Sequence, residues 1–247
     1  MVKFHRFILP EIGTHRIFSK NVASSRAIPV RKLLEMAELD PAMPLFWGKN
    51  QPGMSAAQEL EGEALEQAKD AWNKARLNAI ESAKHLFDLG LHKQTANRLL
   101  EPFVYTTAIV SATDFRNFYA LRTSKETVQP EMFALATMML KAQRESEPVT
   151  LSFGEWHLPL VKDGEVVDLE LAKKCSVARC ARVSYLLTDG TNPSLEKDVD
   201  LHDKLLKSHH MSPFEHQATP LTGVWGNFRN WRSYRKYIPN ECQDFDI

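Results

Sequence analysis

A polar stretch near the amino terminus, residues 14–29, carries side chains well suited to chemistry. Arg16 and Arg26 are fixed cations whose planar guanidinium groups match the oxygens of a phosphate or the edge of a pyrimidine. Ser24 and Ser25 add hydroxyl donors, and the backbone N–H groups around them can form an anion nest. The stretch therefore predicts an anion-binding segment. The structural alternative is a solvated connection whose serine caps the following helix.

A second polar segment, residues 209–216, combines histidines with a serine and a glutamate. Ser212 and Glu215 have the spacing of a capping box, with Pro213 at the first helical position. The histidines lack a well-defined set of metal ligands, so no metal site is expected.

The elements that must position these residues follow from apolar periodicity and from glycine and proline positions. The predicted elements are a strand at 4–12, a helix at 30–39, a long loop at 41–53 that is able to cover a ligand, a long helix at about 55–90 ended by Gly90, and a short helix at 92–102. Further along, the chain predicts a strand or the start of a buried helix at 105–112, a helix after Gln129, two short strands or a hairpin within 145–168, and a helix at 201–206.

The overall composition bounds the class of protein. The 247-residue chain is 43% hydrophobic and 25% charged, the balance of an ordinary globular protein. Basic and acidic residues both number 31, so a broad nucleic-acid-binding surface is not expected. No apolar run reaches the ~18 residues of a membrane span, and the first residues lack the apolar segment of a signal peptide. The odd set of three cysteines indicates reduced thiols, so a cytoplasmic protein is expected.

The stretch at 14–29 resembles the signature of the flavin-dependent thymidylate synthases, which reads R-H-R-x-x-S-x-N-E-x-S-x-R-Y. The residues that match are His15, Arg16, Ser19, Asn21, Ser24 and Arg26. The residues that depart from the signature, in place of Arg, Glu and Tyr, are Thr14, Val22 and Ala27. Upstream, Arg6 matches a family arginine, whereas Glu11 falls where the family has glutamine.

The middle of the chain carries the same resemblance. Arg98 stands four residues before Pro102, as the family's nucleotide-phosphate arginine stands before its proline. Residues 117–122 resemble an N-F-x-x-L-R element. In that element Asn117 matches a flavin-contacting asparagine, and Arg122 matches the arginine that activates the pyrimidine.

Two motifs near the carboxyl terminus complete the resemblance. They are the Ala-Arg-Val-Ser element at 181–184 and the Ser-Pro-Phe-Glu-His run at 212–216. In the family both precede the R-H-R signature, whereas here they follow it. The chain therefore resembles a circularly permuted member, an arrangement that is tolerated where chain termini lie close together.

The resemblance implies an α/β (α+β) fold with a twisted central sheet flanked by helices. It implies a single permuted domain over residues 1–247 and assembly as a homotetramer. The implied reaction is reductive methylation of dUMP to dTMP with FAD, NADPH and 5,10-methylenetetrahydrofolate. The residues it assigns to cofactor binding are His15, Arg16, Asn117, Ser184, Ser212 and Glu215. Those it assigns to the substrate are Glu11, Ser24, Ser25, Arg26, Arg98 and Arg122. Arg122 is also the expected catalytic residue, because it would stabilise negative charge on the pyrimidine.

The departures from the signature leave two other functions open. Glu11 is either a solvated residue of the predicted strand or a reader of the base, and an ionised carboxylate only accepts hydrogen bonds. A different base is then an alternative, with methylation or hydroxymethylation of dCMP as the example. An alternative of another class is a non-catalytic protein that binds a nucleotide or a flavin.

Overall fold

The structure is a computed structural model that describes residues 1–124, 128–184, 194–239 and 241–242, without the side chain of Ser184. Its strands are β1 (Val2–His5), β2 (Ser19–Val22), β3 (Tyr105–Ser111), β4 (Ala218–Trp225) and β5 (Phe228–Ser233). Its α-helices are α1 (Leu9–Gly13), α2 (Val30–Leu39), α3 (Gly62–Asp88), α4 (Lys93–Ala96), α5 (Arg116–Arg122), α6 (Pro130–Glu145), α7 (Leu169–Ala181) and α8 (Leu195–Lys207). Short 3-10 helices lie at Arg6–Ile8, Asn97–Phe103, Arg182–Ser184, Ser212–Glu215 and Tyr234–Tyr237.

The main sheet is antiparallel, with β3 between β1 and β2. Val2 pairs with Ala108 on one side of β3, and Ser19 pairs with Ser111 on the other. The β-branched and apolar composition of β3 suits a pleated surface. Of the two predictions left open for this segment, the strand is therefore the correct one.

Neighbouring residues of β3 face different helices. Ala108 belongs to an apolar core that also contains Phe118 of α5 and Met132 of α6. Ile109 packs instead with Cys180, which lies on α7. Because successive side chains of a strand point to opposite faces, the sheet is covered by helices on both sides. This confirms the predicted α+β class with a sheet flanked by helices.

A second apolar core joins α2, α3 and the 3-10 helix at Asn97–Phe103. It contains Leu33, Ile80 and Leu100, all of which are buried. The predicted end of the long helix is confirmed, because Gly90 follows α3 with φ +83°, a left-handed conformation that glycine adopts without strain.

The predicted start of the long helix near residue 55 is wrong, since α3 begins at Gly62. The residues before it fold back on the preceding loop. The Lys49 backbone N–H donates to the Gln58 carbonyl at 2.8 Å, and the Leu60 N–H donates to the Trp47 carbonyl at 2.7 Å. These bonds occupy backbone groups that a helix would otherwise use.

The predicted strand at 4–12 is correct only for its first residues, because β1 ends at His5. The Arg6 backbone N–H donates to the Val104 carbonyl at 3.1 Å, and the chain then turns through a 3-10 helix into α1. Pro10 lies in the first turn of α1, where its missing N–H costs nothing and where a strand would lose a ladder hydrogen bond.

The strands or hairpin predicted within 145–168 are also wrong. That segment forms one isolated bridge, in which His157 pairs with Ala218 of β4. Leu160, Gly154 and Gly164 have positive φ angles that interrupt an extended conformation. Residues 162–165 form a turn, because the Glu165 N–H donates to the Lys162 carbonyl at 3.1 Å.

Two further features complete the described structure. β4 and β5 form a separate hairpin that turns at Gly226, which has φ +65°. None of the helices in the described part of the chain is both long enough and apolar enough to cross a membrane.

Candidate active site

His15 and Arg122 meet although 107 positions separate them along the chain. The Arg122 Nε–H donates to His15 Nε2 at 3.0 Å. The imidazole is buried, and its ring centroid lies 5.4 Å from that of Phe18 and 4.9 Å from that of Phe118. Arg122 ends α5 and is half-buried. The aromatic packing therefore holds an acceptor that orients a guanidinium group at the protein surface.

The environment of His15 favours its neutral form. Burial lowers the pKa of His15 below its ordinary value of 6.5, and the positive charges of Arg122 and Lys20 lower it further. Because Nε2 accepts from Arg122, the ring proton lies on Nδ1 near neutral pH. The Lys20 ammonium also donates to the His15 carbonyl at 3.0 Å. Protonation of His15 Nε2 would replace the hydrogen bond from Arg122 by repulsion between two cations.

Replacing His15 by glutamine is expected to flatten the acid side of the stability profile. With a folded-state pKa below that of the unfolded chain, His15 contributes stability above pH 6.5, and this contribution is lost as pH falls through the folded-state pKa. The slope for one proton is at most about 1.4 kcal/mol per pH unit. The measurement is the free energy of unfolding in urea between pH 5 and pH 8.

The comparison with His15→Gln isolates this one titration. His202 and His216 also have lowered pKa values because they are buried, and both proteins retain them. Glutamine keeps an acceptor for Arg122 without titrating. Identical slopes for the two proteins would contradict the assignment to His15.

Asn21 joins β2 to two segments from the far end of the chain. Its Nδ2 donates to the Cys180 carbonyl at 2.6 Å, and its Oδ1 accepts from the Ser212 hydroxyl at 3.2 Å. The predicted capping box at Ser212 is wrong, because the 3-10 helix there has Met211 at its N-cap and no side-chain cap. The Ser212 hydroxyl is used by Asn21 instead.

A cavity of about 350 Å³ lies against β3 and is lined by Phe115, Phe228 and Trp231. His216 also lines it, and only 1% of its surface is exposed. Its Nδ1 lies 2.9 Å from Ser111 Oγ, whereas its Nε2 has no hydrogen-bond partner among the described residues. Burial lowers the pKa of His216 to about 4, so the ring is neutral near pH 7. The cavity therefore combines aromatic walls with polar residues, among them Thr113 and His157.

Glu215 lies in an ion-paired group with the carboxyl-terminal segment. Arg235 donates to Glu215 at 2.6 Å and to Glu241 at 2.7 Å, and Lys236 donates to Glu241 at 2.5 Å. Ser19, Glu215 and Arg235 border a smaller cavity of about 180 Å³. The predicted cofactor residue Glu215 is therefore already paired with an arginine within the described chain.

Basic and aromatic residues near the carboxyl terminus pack on one another. The Arg232 guanidinium lies 4.6 Å from the ring centroid of Trp225 and 3.9 Å from that of Tyr237. These cation–π contacts hold Arg232 between two aromatic side chains.

Another polar group, the Glu101 group, consists of Glu101, Ser25, Arg98 and Arg6. The Ser25 hydroxyl donates to Glu101 Oε1 at 2.5 Å, and Arg98 donates to the same oxygen at 2.8 Å. Arg6 Nε lies 3.1 Å from this oxygen as well. Two residues predicted to bind substrate, Ser25 and Arg98, are thus brought together on a carboxylate.

The other predicted residues differ in how far they are exposed. Arg16, Arg26 and Asn117 are exposed, and Ser24 is partly exposed, with its carbonyl accepting from the Ala27 N–H at 2.9 Å. Glu11 is partly buried, and its Oε2 has no hydrogen-bond partner in the part of the chain that is described. The side chain of Ser184 lies outside the described atoms.

Two polar contacts were not predicted as parts of the site. Glu101 follows Arg98 by three positions, a spacing that permits an ion pair on one helical face, and this was the available signal. His216 ends the Ser-Pro-Phe-Glu-His run, but its contact with Ser111 joins residues 105 positions apart. No local pattern indicates such a contact.

Comparison with known proteins relates the amino-terminal part of the chain to a family. A family model described as thymidylate synthase complementing protein matches residues 1–149, more than half of the chain. The matched range contains both the His15–Arg122 contact and the Glu101 group. No curated protein and no solved structure matches the chain.

Proposed function

The chain belongs to the thymidylate synthase complementing protein family, the flavin-dependent thymidylate synthases, and on that premise we propose that it methylates dUMP to dTMP. The proposed cofactors are FAD, NADPH and 5,10-methylenetetrahydrofolate. The observation that carries the proposal is the oriented guanidinium of Arg122, which His15 holds at 3.0 Å at the end of the N-F-x-x-L-R element.

The donor set along β3 fits a flavin. The cavity of about 350 Å³ offers the aromatic side chains of Phe115 and Trp231 to a planar ring system, and Thr113, which also lines it, carries a hydroxyl group. The exposed side chains of Arg16 and Asn117 suit the phosphates and the ribityl hydroxyls. We assign His15, Arg16, Asn117, Ser184, Ser212 and Glu215 to cofactor binding. FAD, when bound, supplies reducing equivalents and relays the one-carbon unit.

The chain's own residues would bind and polarise the nucleotide. We assign Ser24, Ser25, Arg26 and Arg98 to its phosphate. Arg122 would stabilise negative charge on a pyrimidine carbonyl oxygen, because a cation fixed in advance does not have to reorganise as that charge develops. His15 would keep the guanidinium pointed at the base through its Nε2. Ser24 is assigned to binding and not to nucleophilic attack.

The assembly and domain organisation are proposed on the same basis. Residues 1–247 would form a single permuted domain, because Asn21 of β2 binds both Cys180 and Ser212. The exposure of Arg16, Arg26 and Asn117 is compatible with a site completed by other subunits of a homotetramer. We place the enzyme in the cytoplasm because its buried cysteines, Cys175 and Cys180, are free thiols.

One observation favours dCMP as the alternative substrate. Glu11 Oε2 is buried and has no partner among the described residues. A carboxylate accepts hydrogen bonds, and the exocyclic amino group of cytosine donates them, whereas uracil has a carbonyl oxygen at that position. The amino group of bound dCMP would satisfy this acceptor. The reaction would then be methylation or hydroxymethylation of dCMP.

The test is mass spectrometry of nucleotides after incubation with FAD, NADPH, methylenetetrahydrofolate and either dUMP or dCMP. The expected result is dUMP whose mass has increased by the replacement of one hydrogen by methyl. Omission of methylenetetrahydrofolate is the control. Product from dCMP alone would replace the proposal by its alternative. No product from either nucleotide, despite bound flavin, would instead favour a non-catalytic binding protein.

A further inference from the structure

Three side chains converge on one oxygen of Glu101, Ser25 and Arg98 through hydrogen bonds and Arg6 through an ion pair. Ser25 Oγ lies 2.5 Å from Glu101 Oε1, and Arg98 and Arg6 lie 2.8 Å and 3.1 Å from it. These donors come from the loop after β2, the 3-10 helix at 97–103 and the 3-10 helix at 6–8. Hydroxyl and guanidinium donors around a single oxygen are the arrangement that recognises a phosphate oxygen.

Two of the three donors are held in place by bonds that do not involve Glu101. Arg6 donates to the Ala23 carbonyl at 3.0 Å and to Thr106 at 3.1 Å. The buried Asn97 donates to the Ser25 carbonyl at 2.6 Å and to the Ile28 carbonyl at 2.9 Å. The cluster is therefore preorganised by the surrounding backbone.

The charges differ in their accessibility. The Arg6 side chain is 10% exposed, whereas that of Arg98 is 51% exposed and that of Glu101 is 25% exposed. Arg98 thus forms the open side, from which a solute can approach. The Glu101 carboxylate has access to solvent into which it can turn.

We infer that Glu101 is an internal counter-anion that occupies a phosphate position and must turn away when a nucleoside monophosphate binds. This inference rests on the proposed function, because it regulates the same nucleotide site. A phosphate dianion carries more charge and more acceptor oxygens than one carboxylate, so it displaces Glu101 on binding. Glu101 thereby weakens the binding of single-charged and weakly charged anions.

The test compares Glu101→Gln with the unaltered chain by isothermal titration at constant ionic strength. The probes are inorganic phosphate, dUMP and 2′-deoxyuridine, which lacks the phosphate. Removing one unit charge beside the binding position is expected to tighten phosphate and dUMP binding roughly tenfold. Binding of deoxyuridine is expected to remain unchanged. Glu38→Gln is the matched control, because Glu38 pairs with Lys84 between α2 and α3.

The outcomes separate this inference from the proposed function. Unchanged or weaker phosphate and dUMP binding by Glu101→Gln would overturn the inference. Tighter phosphate binding, when neither protein binds dUMP, would support the displacement of Glu101 by a phosphate group and overturn the proposed substrate. If the variant is unstable, its thermal unfolding is measured in phosphate and in chloride. Selective stabilisation by phosphate supports the inference, and its absence overturns it.

Discussion

Arg122→Ala is expected to lower kcat by about 10²–10³-fold while FAD remains bound, as for other fixed donors that stabilise developing charge. The guanidinium is oriented by its 3.0 Å bond to His15 and does not contribute to the apolar core that contains Phe118. Its removal therefore takes away charge stabilisation and leaves that packing intact. The measurement is single-turnover formation of dTMP, together with the visible absorbance of flavin after gel filtration.

Two variants make this expectation specific. Arg122→Lys keeps the charge but loses the planar fork and the Nε–H that binds His15, so intermediate activity is expected. Arg116→Ala removes an arginine from the other end of α5, where the side chain is 91% exposed, and should leave kcat unchanged. Near-normal turnover by Arg122→Ala would remove the proposed catalytic role. Loss of flavin from that variant would indicate a structural role instead.

Asp198→Ala is expected to reduce the free energy of unfolding by about 3–5 kcal/mol. Asp198 is fully buried on α8 and accepts from Arg179 at 3.1 Å and from Arg182. Arg179 is only 5% exposed. Without the carboxylate, Arg182 and the Nε–H of Arg179 lose a charged partner, and only Glu165, which accepts from Arg179 at 2.7 Å, still offsets the buried guanidinium.

The control for this substitution lies on the same helix. Asp200 is exposed, so Asp200→Ala should change the free energy of unfolding by no more than about 0.5 kcal/mol. Urea unfolding of the three proteins, followed by circular dichroism, makes the comparison. Equal losses for the two variants would show that the buried ion pairs do not contribute in the way inferred here.

Elements with a strong local signal were predicted from the sequence. Leu33 and Leu34 mark the buried side of α2, and Gly90 ends α3 because its positive φ is easily adopted by glycine. The start of α3 was not predictable. The helix begins at Gly62 and not near residue 55, because the Leu60 N–H donates to the Trp47 carbonyl. Hydrogen bonds between distant turns have no periodic signature.

In the candidate site, too, local patterns could be predicted from the sequence, whereas contacts between distant residues could not. Matched positions predicted His15 as a cofactor residue and Arg122 as a substrate residue, but the 3.0 Å bond between them was not predicted. Ser212 was predicted as a cap because the local pattern permits one, but Asn21 takes its hydroxyl. The part played by Glu101 was missed, since it depends on Ser25 and Arg6, whose approach depends on the fold.

The contacts of Asn21 have a consequence for protein synthesis. Its partner Cys180 emerges from the ribosome 159 residues later, which at 5–20 residues per second is an interval of roughly 8–32 s. The face of β3 that carries Ile109 is without its α7 cover for a shorter time, roughly 4–14 s at the same rate, because Cys180 follows Ile109 by 71 residues. The nascent chain must therefore keep an apolar sheet face out of intermolecular contacts until α7 has been synthesised, which makes this face a natural site for chaperone engagement.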